Sequence, residues 1–129
     1  MQVLKTDPDV KTKILVVEDD QLTRLALCGV LQGMHYETME AGDGDSGMEM
    51  FERERPTITF IDILLPGRDG LSLISEILAI SPDAVIVAMS SGGESKNTSF
   101  LEWAQKLGAL RMISKPFKPE DIRLLLNTL

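Results

Sequence analysis

Four short segments of the 129-residue sequence carry side chains able to do chemistry: Glu18-Asp19-Asp20, Asp62, Ser90-Ser91 and Lys115-Pro116. Carboxylates gathered at one point repel one another, and either one of them takes up a proton or a divalent cation relieves the repulsion. Oxygen donors without a neighbouring Cys or His favour a hard cation, Mg²⁺ with Mn²⁺ as the alternative, over zinc. Mg²⁺ usually keeps several waters and binds through one or two carboxylates plus a phosphoryl oxygen. The chemistry such a cluster offers is therefore the positioning of a phosphoryl group. Asp62 would be the nucleophile, forming an acyl phosphate. Lys115 would supply a fixed positive charge and Ser90 a hydroxyl donor to the other phosphoryl oxygens. Taken singly, each segment has a plainer reading: acids at a helix N-terminus, a solvated Lys-Pro or Ser-Ser loop, an aspartate in a turn. What counts is whether the elements of the chain bring them together.

The apolar pattern says that they do. Ile14 to Val17 form a continuous apolar run, as expected of a strand covered on both faces. Leu22, Leu25, Ala26, Val30, Leu31 and Met34 are spaced as one helical stripe, with Asp20 as N-cap and Gly33 as the stop. The alternation continues with a strand over 36–41, a helix over 44–54, a strand over 58–61 and a helix over 71–80 capped by Asp69. A strand over 84–89, a helix around 100–107, a strand over 109–113 and a helix over 120–129 complete it. Five strands interleaved with five helices on short connections predict an α/β fold, a doubly wound parallel sheet covered on both faces. In such sheets the ligand site lies beyond the carboxyl ends of the strands. All four chemical segments fall at those ends. Residues 1–12 read as a polar leader and 13–129 as the domain.

At this point a family resemblance becomes specific. ILVVEDDQLTR, FIDILLPGRDG, AMSSG and ISKPF resemble the four signature segments of response-regulator receiver domains, in the right order from Lys13 onward. The resemblance implies a flavodoxin-like strand order 2-1-3-4-5, close to that of chemotaxis regulators. It also implies Glu18, Asp19 and Asp62 as metal ligands, joined by the backbone carbonyl of Leu64. Asp62 would be the phosphoacceptor, with Ser90 and Lys115 completing the site and Asp20 capping the following helix. Implied partners are a sensor histidine kinase or a histidine phosphotransfer protein upstream. Downstream, a target protein, a separate output domain or a phosphorylation-dependent dimer would read the fourth helix, fifth strand and fifth helix. The implied role is signalling, with at most slow self-dephosphorylation. One position departs from the pattern: Met112 stands where many receivers carry Tyr or Phe, so the usual aromatic coupling to Ser90 is not carried over.

Two rival readings can be weighed on the residues. Gly42-x-Gly44-x-x-Gly47 spells a dinucleotide-binding loop, but Asp43 and Asp45 would face the pyrophosphate with negative charge. The glycines read better as a loop and helix entry, with Asp45 near the N-cap. An aspartyl phosphatase would want an acid two residues after Asp62, where Leu64 stands. Net charge is −7, which argues against direct nucleic-acid or anionic-membrane binding. The first thirteen residues lack the apolar centre of a signal peptide, and no apolar run reaches membrane-spanning length. The single cysteine, Cys28, fits a reducing cytoplasmic setting and reads as packing. His35 reads as a surface imidazole, and Trp103 and Phe100 as seats for the fourth helix on the sheet or a partner.

Overall fold

The computed structural model describes residues 11–91 and 102–129. Its strands are β1 (Lys13–Val17), β2 (Glu37–Ala41), β3 (Ile58–Asp62), β4 (Val85–Ser91) and β5 (Arg111–Lys115). Its helices are α1 (Gln21–Gly33), α2 (Gly44–Glu54), α3 (Gly70–Ile80), α4, described over 102–107, and α5 (Pro119–Asn127). The strands form one parallel sheet in the order β2-β1-β3-β4-β5, as expected.

Every residue of β3 is buried, which is why its apolar run lacks polar alternation. Its side chains alternate between two cores. Leu15, Val17, Ile61, Ile86 and Ala88 face α2 and α3, where Phe51, Leu73, Ile74 and Ile77 close the layer. Ile14, Val16, Phe60, Val87 and Met89 face α1 and α5, against Leu27, Leu31, Ile122 and Leu126. Register brings the strand ends level: Val17 pairs with Ala41 and Ile61, and Asp62 with Met89. Ser91 pairs with Lys115 at the far edge.

Several boundaries differ from expectation. The predicted stripe of α1 is rotated: Leu27, Cys28 and Leu31 are buried, while Leu22 is 77% and Leu25 48% exposed. The sheet-facing row runs instead through positions 24, 27, 28 and 31, so Arg24 occupies its first turn. Burial pushes the Cys28 thiol up to about 11, in keeping with a packing role. Gly33 is the last helical residue, and the left-handed turn beyond it is made by the exposed His35, at φ 71°. Asp43 caps α2 by accepting from the Ser46 N–H, and Asp45 follows in the first turn, near the cap as expected.

β5 begins two residues later than predicted. Ala109 is used in leaving α4: Gly108 takes φ 121°, and the Ala109 N–H returns to the Ala104 carbonyl, while the Leu110 N–H bonds the Ile86 carbonyl of β4 just ahead of the strand. That shift puts Lys115 on the strand itself. Ala104, wholly buried, seats α4 on the sheet, whereas Trp103 is 57% exposed with the Lys106 ammonium over its ring. Phe100 lies outside the described residues.

Candidate functional site

The site is assembled at the carboxyl edge by strand ends that cannot avoid one another. β1 delivers Glu18 one residue past its last strand position, and β3 ends on Asp62. Carboxylate oxygens of Glu18, Asp19 and Asp62 all lie within 4.8 Å of one another. Glu18 and Asp62 are buried, at 1% and 4% exposure, and Asp19 faces solvent. Lys115 reaches across from β5, its Nζ donating to Glu18 Oε1 at 2.7 Å and to Asp62 Oδ2 at 2.8 Å.

Two carboxylates and one ammonium in a buried space set the local electrostatics. Burial is the largest influence on Glu18 and pushes its carboxyl up to about 7; the adjacent Asp62 adds to this, and the Lys115 bond opposes it. Burial alone would lower the Lys115 ammonium, yet its bonds to Asp62 and Glu18 hold it above its ordinary value. The other oxygen of each carboxylate is also engaged. Asp62 Oδ1 accepts from the Leu64 N–H at 2.8 Å, and Glu18 Oε2 from the Asp20 N–H at 3.1 Å. Asp20 caps α1 as expected, and its bonds from the Thr23 hydroxyl and N–H keep its carboxyl below the usual range.

Ser90 stands one residue beyond Met89, the register partner of Asp62, and is fully buried. Its hydroxyl makes a long 3.4 Å contact to the Ser91 carbonyl. An open groove of about 550 Å³ runs beside Lys115, bounded by Thr23 and Ala26 of α1 and by Pro116 and Phe117. Glu18, Asp19, Asp62 and Lys115 are thus brought into one cluster, with Ser90 on the adjoining strand.

The loop after β3 is held by close packing. A Cβ at Gly70 would stand 2.1 Å from the Asp62 carbonyl oxygen, so α3 can start against the end of β3 only with glycine there. The dinucleotide-like glycines serve packing too: a Cβ at Gly44 would meet the Arg68 carbonyl at 2.6 Å. Asp45, two residues short of Gly47, pairs with Arg68 at 3.1 Å. Arg68 thus packs directly over Gly44, which argues against the dinucleotide reading.

Sequence reasoning expected Leu64 for its carbonyl and missed its N–H, which fixes one acceptor oxygen of Asp62. It also missed Arg24, whose Nη1 donates to the Glu18 backbone carbonyl at 2.7 Å. Neither contact leaves a residue-type signature, because each has a main-chain partner. The donor set suits a small hard divalent cation: three carboxylates, all oxygen, with no sulfur or imidazole among them.

The response regulator receiver domain family matches residues 14–127, and the chain belongs to it. It is 30% identical to sporulation initiation phosphotransferase F of Bacillus subtilis, over 86% of this chain and 87% of that protein. With the chemotaxis protein CheY of Thermotoga maritima it shares 32% identity, over 89% and 94% of the two chains. Transcriptional regulatory protein PdtaR of Mycobacterium tuberculosis is 34% identical, and there the chain spans 57% of its relative's length. Among solved structures, the receiver domain of NtrX from Brucella abortus superposes with a TM-score of 0.83 at 34% identity, covering 89% of this chain and 95% of that one. Receiver domains are signalling domains of two-component systems, and none of the described helices here is long and apolar enough to cross a membrane.

Proposed function

We propose that this domain accepts a phosphoryl group on Asp62 from the phosphohistidine of a sensor kinase or histidine phosphotransfer protein, and signals through the surface of α4, β5 and α5. The observation that carries this reading is the Lys115 ammonium bridging Asp62 Oδ2 and Glu18 Oε1 at the carboxyl edge. In the transfer an Asp62 carboxylate oxygen attacks phosphorus, the P–N bond to histidine breaks, and the imidazole nitrogen takes a proton as it departs. The Leu64 N–H, already on Oδ1, orients the carboxylate so that Oδ2 attacks once Lys115 moves onto a phosphoryl oxygen. Ser90 is the second donor to the phosphoryl group. Glu18, Asp19 and Asp62, with the Leu64 carbonyl, would hold Mg²⁺, or Mn²⁺ in its place. The bound ion would supply neutralising charge to the phosphoryl oxygens.

The acyl phosphate carries about −1.5 to −2 charges beside β4 and β5, where the Asp62 carboxylate carried about −1. Lys115 leaves Glu18 to meet it, which couples chemistry at Asp62 to β5. Met112, half-buried on that strand, has neither ring nor hydroxyl, so transmission here rests on the movement of Lys115 and on packing. Hydrolysis of the product is slow, since the position two residues after Asp62 holds an exposed leucine and no acid. The domain is a signalling element of the cytoplasm rather than a turnover enzyme, and its output passes to a target protein, an output domain or a second copy.

Incubation with Mg²⁺ and a small phosphodonor, followed by intact-mass measurement, tests this. One added phosphoryl group is expected in the parent and none in Asp62→Asn. Undiminished labelling of the variant would refute the assignment.

A further inference from the structure

Arg24 lies outside the acidic cluster yet is tied to its backbone. Four facts define its place. It occupies the sheet-facing row of α1, one turn ahead of the buried Leu27 and Cys28, and its side chain is only 17% exposed. Its Nη1 donates to the Glu18 carbonyl at 2.7 Å, and its Nε to Glu40 Oε1 at 3.0 Å. Its own N–H closes the first turn of α1 on the Asp20 carbonyl at 2.9 Å. Gly42 lies beside the guanidinium, where a Cβ would stand 3.4 Å from Nη1 in ordinary contact.

The position matters because β1 runs out of partners at Glu18. The Glu18 N–H makes the last ladder bond on this side, to the Ala41 carbonyl at 3.0 Å, and β2 ends at Ala41. No further β2 rung remains to fix the Glu18 carbonyl, and Arg24 supplies the bond in its place. That carbonyl belongs to the peptide joining Glu18 to Asp19. Rotation of this peptide plane swings the Asp19 carboxylate relative to those of Glu18 and Asp62.

We propose that Arg24 is a positioning residue for the divalent cation: by holding the Glu18 carbonyl it fixes the direction in which Asp19 presents its carboxylate. The inference rests on the metal reading given above and adds a member to it that no carboxylate count reveals. Supporting groups behind metal ligands commonly contribute about 10- to 100-fold in affinity.

The sign of the effect separates this role from simple charge. A guanidinium near the site repels a cation, so removing its charge alone would tighten Mg²⁺ binding. Positioning predicts the opposite. Calorimetric titration of the full chain with Mg²⁺ alone, together with melting in chelator, reads both. For Arg24→Ala the expected result is affinity weakened about tenfold, at a temperature where parent and variant are both folded. Arg24→Lys, which keeps one donor, should recover part of the loss. Parent-like or tighter binding in Arg24→Ala would overturn the proposal. So would an equal loss in Glu40→Gln, which keeps the guanidinium and removes only its ion pair. Should Arg24→Ala lose the fold, Arg24→Gln decides on the same titration, weaker binding supporting the role and parent affinity refuting it. Glu18→Gln separates the two levels: if it leaves Mg²⁺ affinity unchanged, the metal reading itself fails and this inference with it. If Glu18→Gln weakens binding and Arg24→Ala does not, only the role of Arg24 falls.

Discussion

Each end of the sheet carries a lysine bound to carboxylate, and the two behave in opposite ways. At the amino end, Lys13 of β1 meets Glu54 of α2 at 3.3 Å, with the side chains 41% and 30% exposed. At the carboxyl end, Lys115 meets Glu18 and Asp62 at 2.7 and 2.8 Å, with the lysine 17% exposed and the acids 1% and 6%. The Lys13 bond holds the Glu54 carboxyl below its ordinary range, whereas burial pushes that of Glu18 up to about 7 despite a closer lysine. The same two functional groups make a solvated surface pair in one place and a charged cluster under tension in the other. Water makes the difference: an exposed pair gains little, and a buried one depends on every member being present.

Removing one member at each end should therefore give very different results. Lys115→Ala leaves two adjacent buried acids without their counter-charge. It is expected to lower the unfolding free energy at neutral pH by roughly 3 kcal/mol, read by denaturant titration in chelator. Mg²⁺ should bind this variant more tightly than the parent, because the ion no longer competes with an ammonium, while phosphorylation slows. Equal Mg²⁺ affinity in the two would mean that the lysine and the cation do not share the same carboxylates.

Lys13→Ala is the small-effect counterpart, expected to leave the midpoint of unfolding unchanged within measurement. Because the folded Glu54 carboxyl is depressed, any contribution from this pair is present above its unfolded value near 4.5 and is lost as the pH falls through its folded value. A fall in stability at neutral pH comparable to that of Lys115→Ala would erase the contrast between the ends.

Much of the carboxyl edge was legible because its residues follow strands whose apolar runs are unmistakable. Glu18, Asp62 and Lys115 each sit within a residue of a strand end, so the parallel topology alone converges them. What stayed hidden has physical causes. The face of α1 was misjudged because Leu22 and Leu25 look like core, while the row that meets the sheet begins with Arg24, a residue type that hydrophobic spacing discounts. The frame of β5 was misplaced because Ala109 and Leu110 read as strand, yet Gly108 in its left-handed turn delays the strand's start. The N–H of Leu64 and the contact from Arg24 to the Glu18 carbonyl were invisible for a third reason: every residue has a backbone, so main-chain partners carry no identity.

The central claim is that the phosphoryl group resides on the Asp62 carboxylate, and its chemistry can be read directly. An acyl phosphate is reduced by borohydride, converting the aspartate to homoserine, whereas a serine phosphoester is not. The phosphorylated protein, treated with borohydride and mapped by peptide mass spectrometry, should show homoserine at position 62 and unmodified Ser90 and Ser91. Phosphoserine at either of those positions, with Asp62 unreduced, would contradict the account.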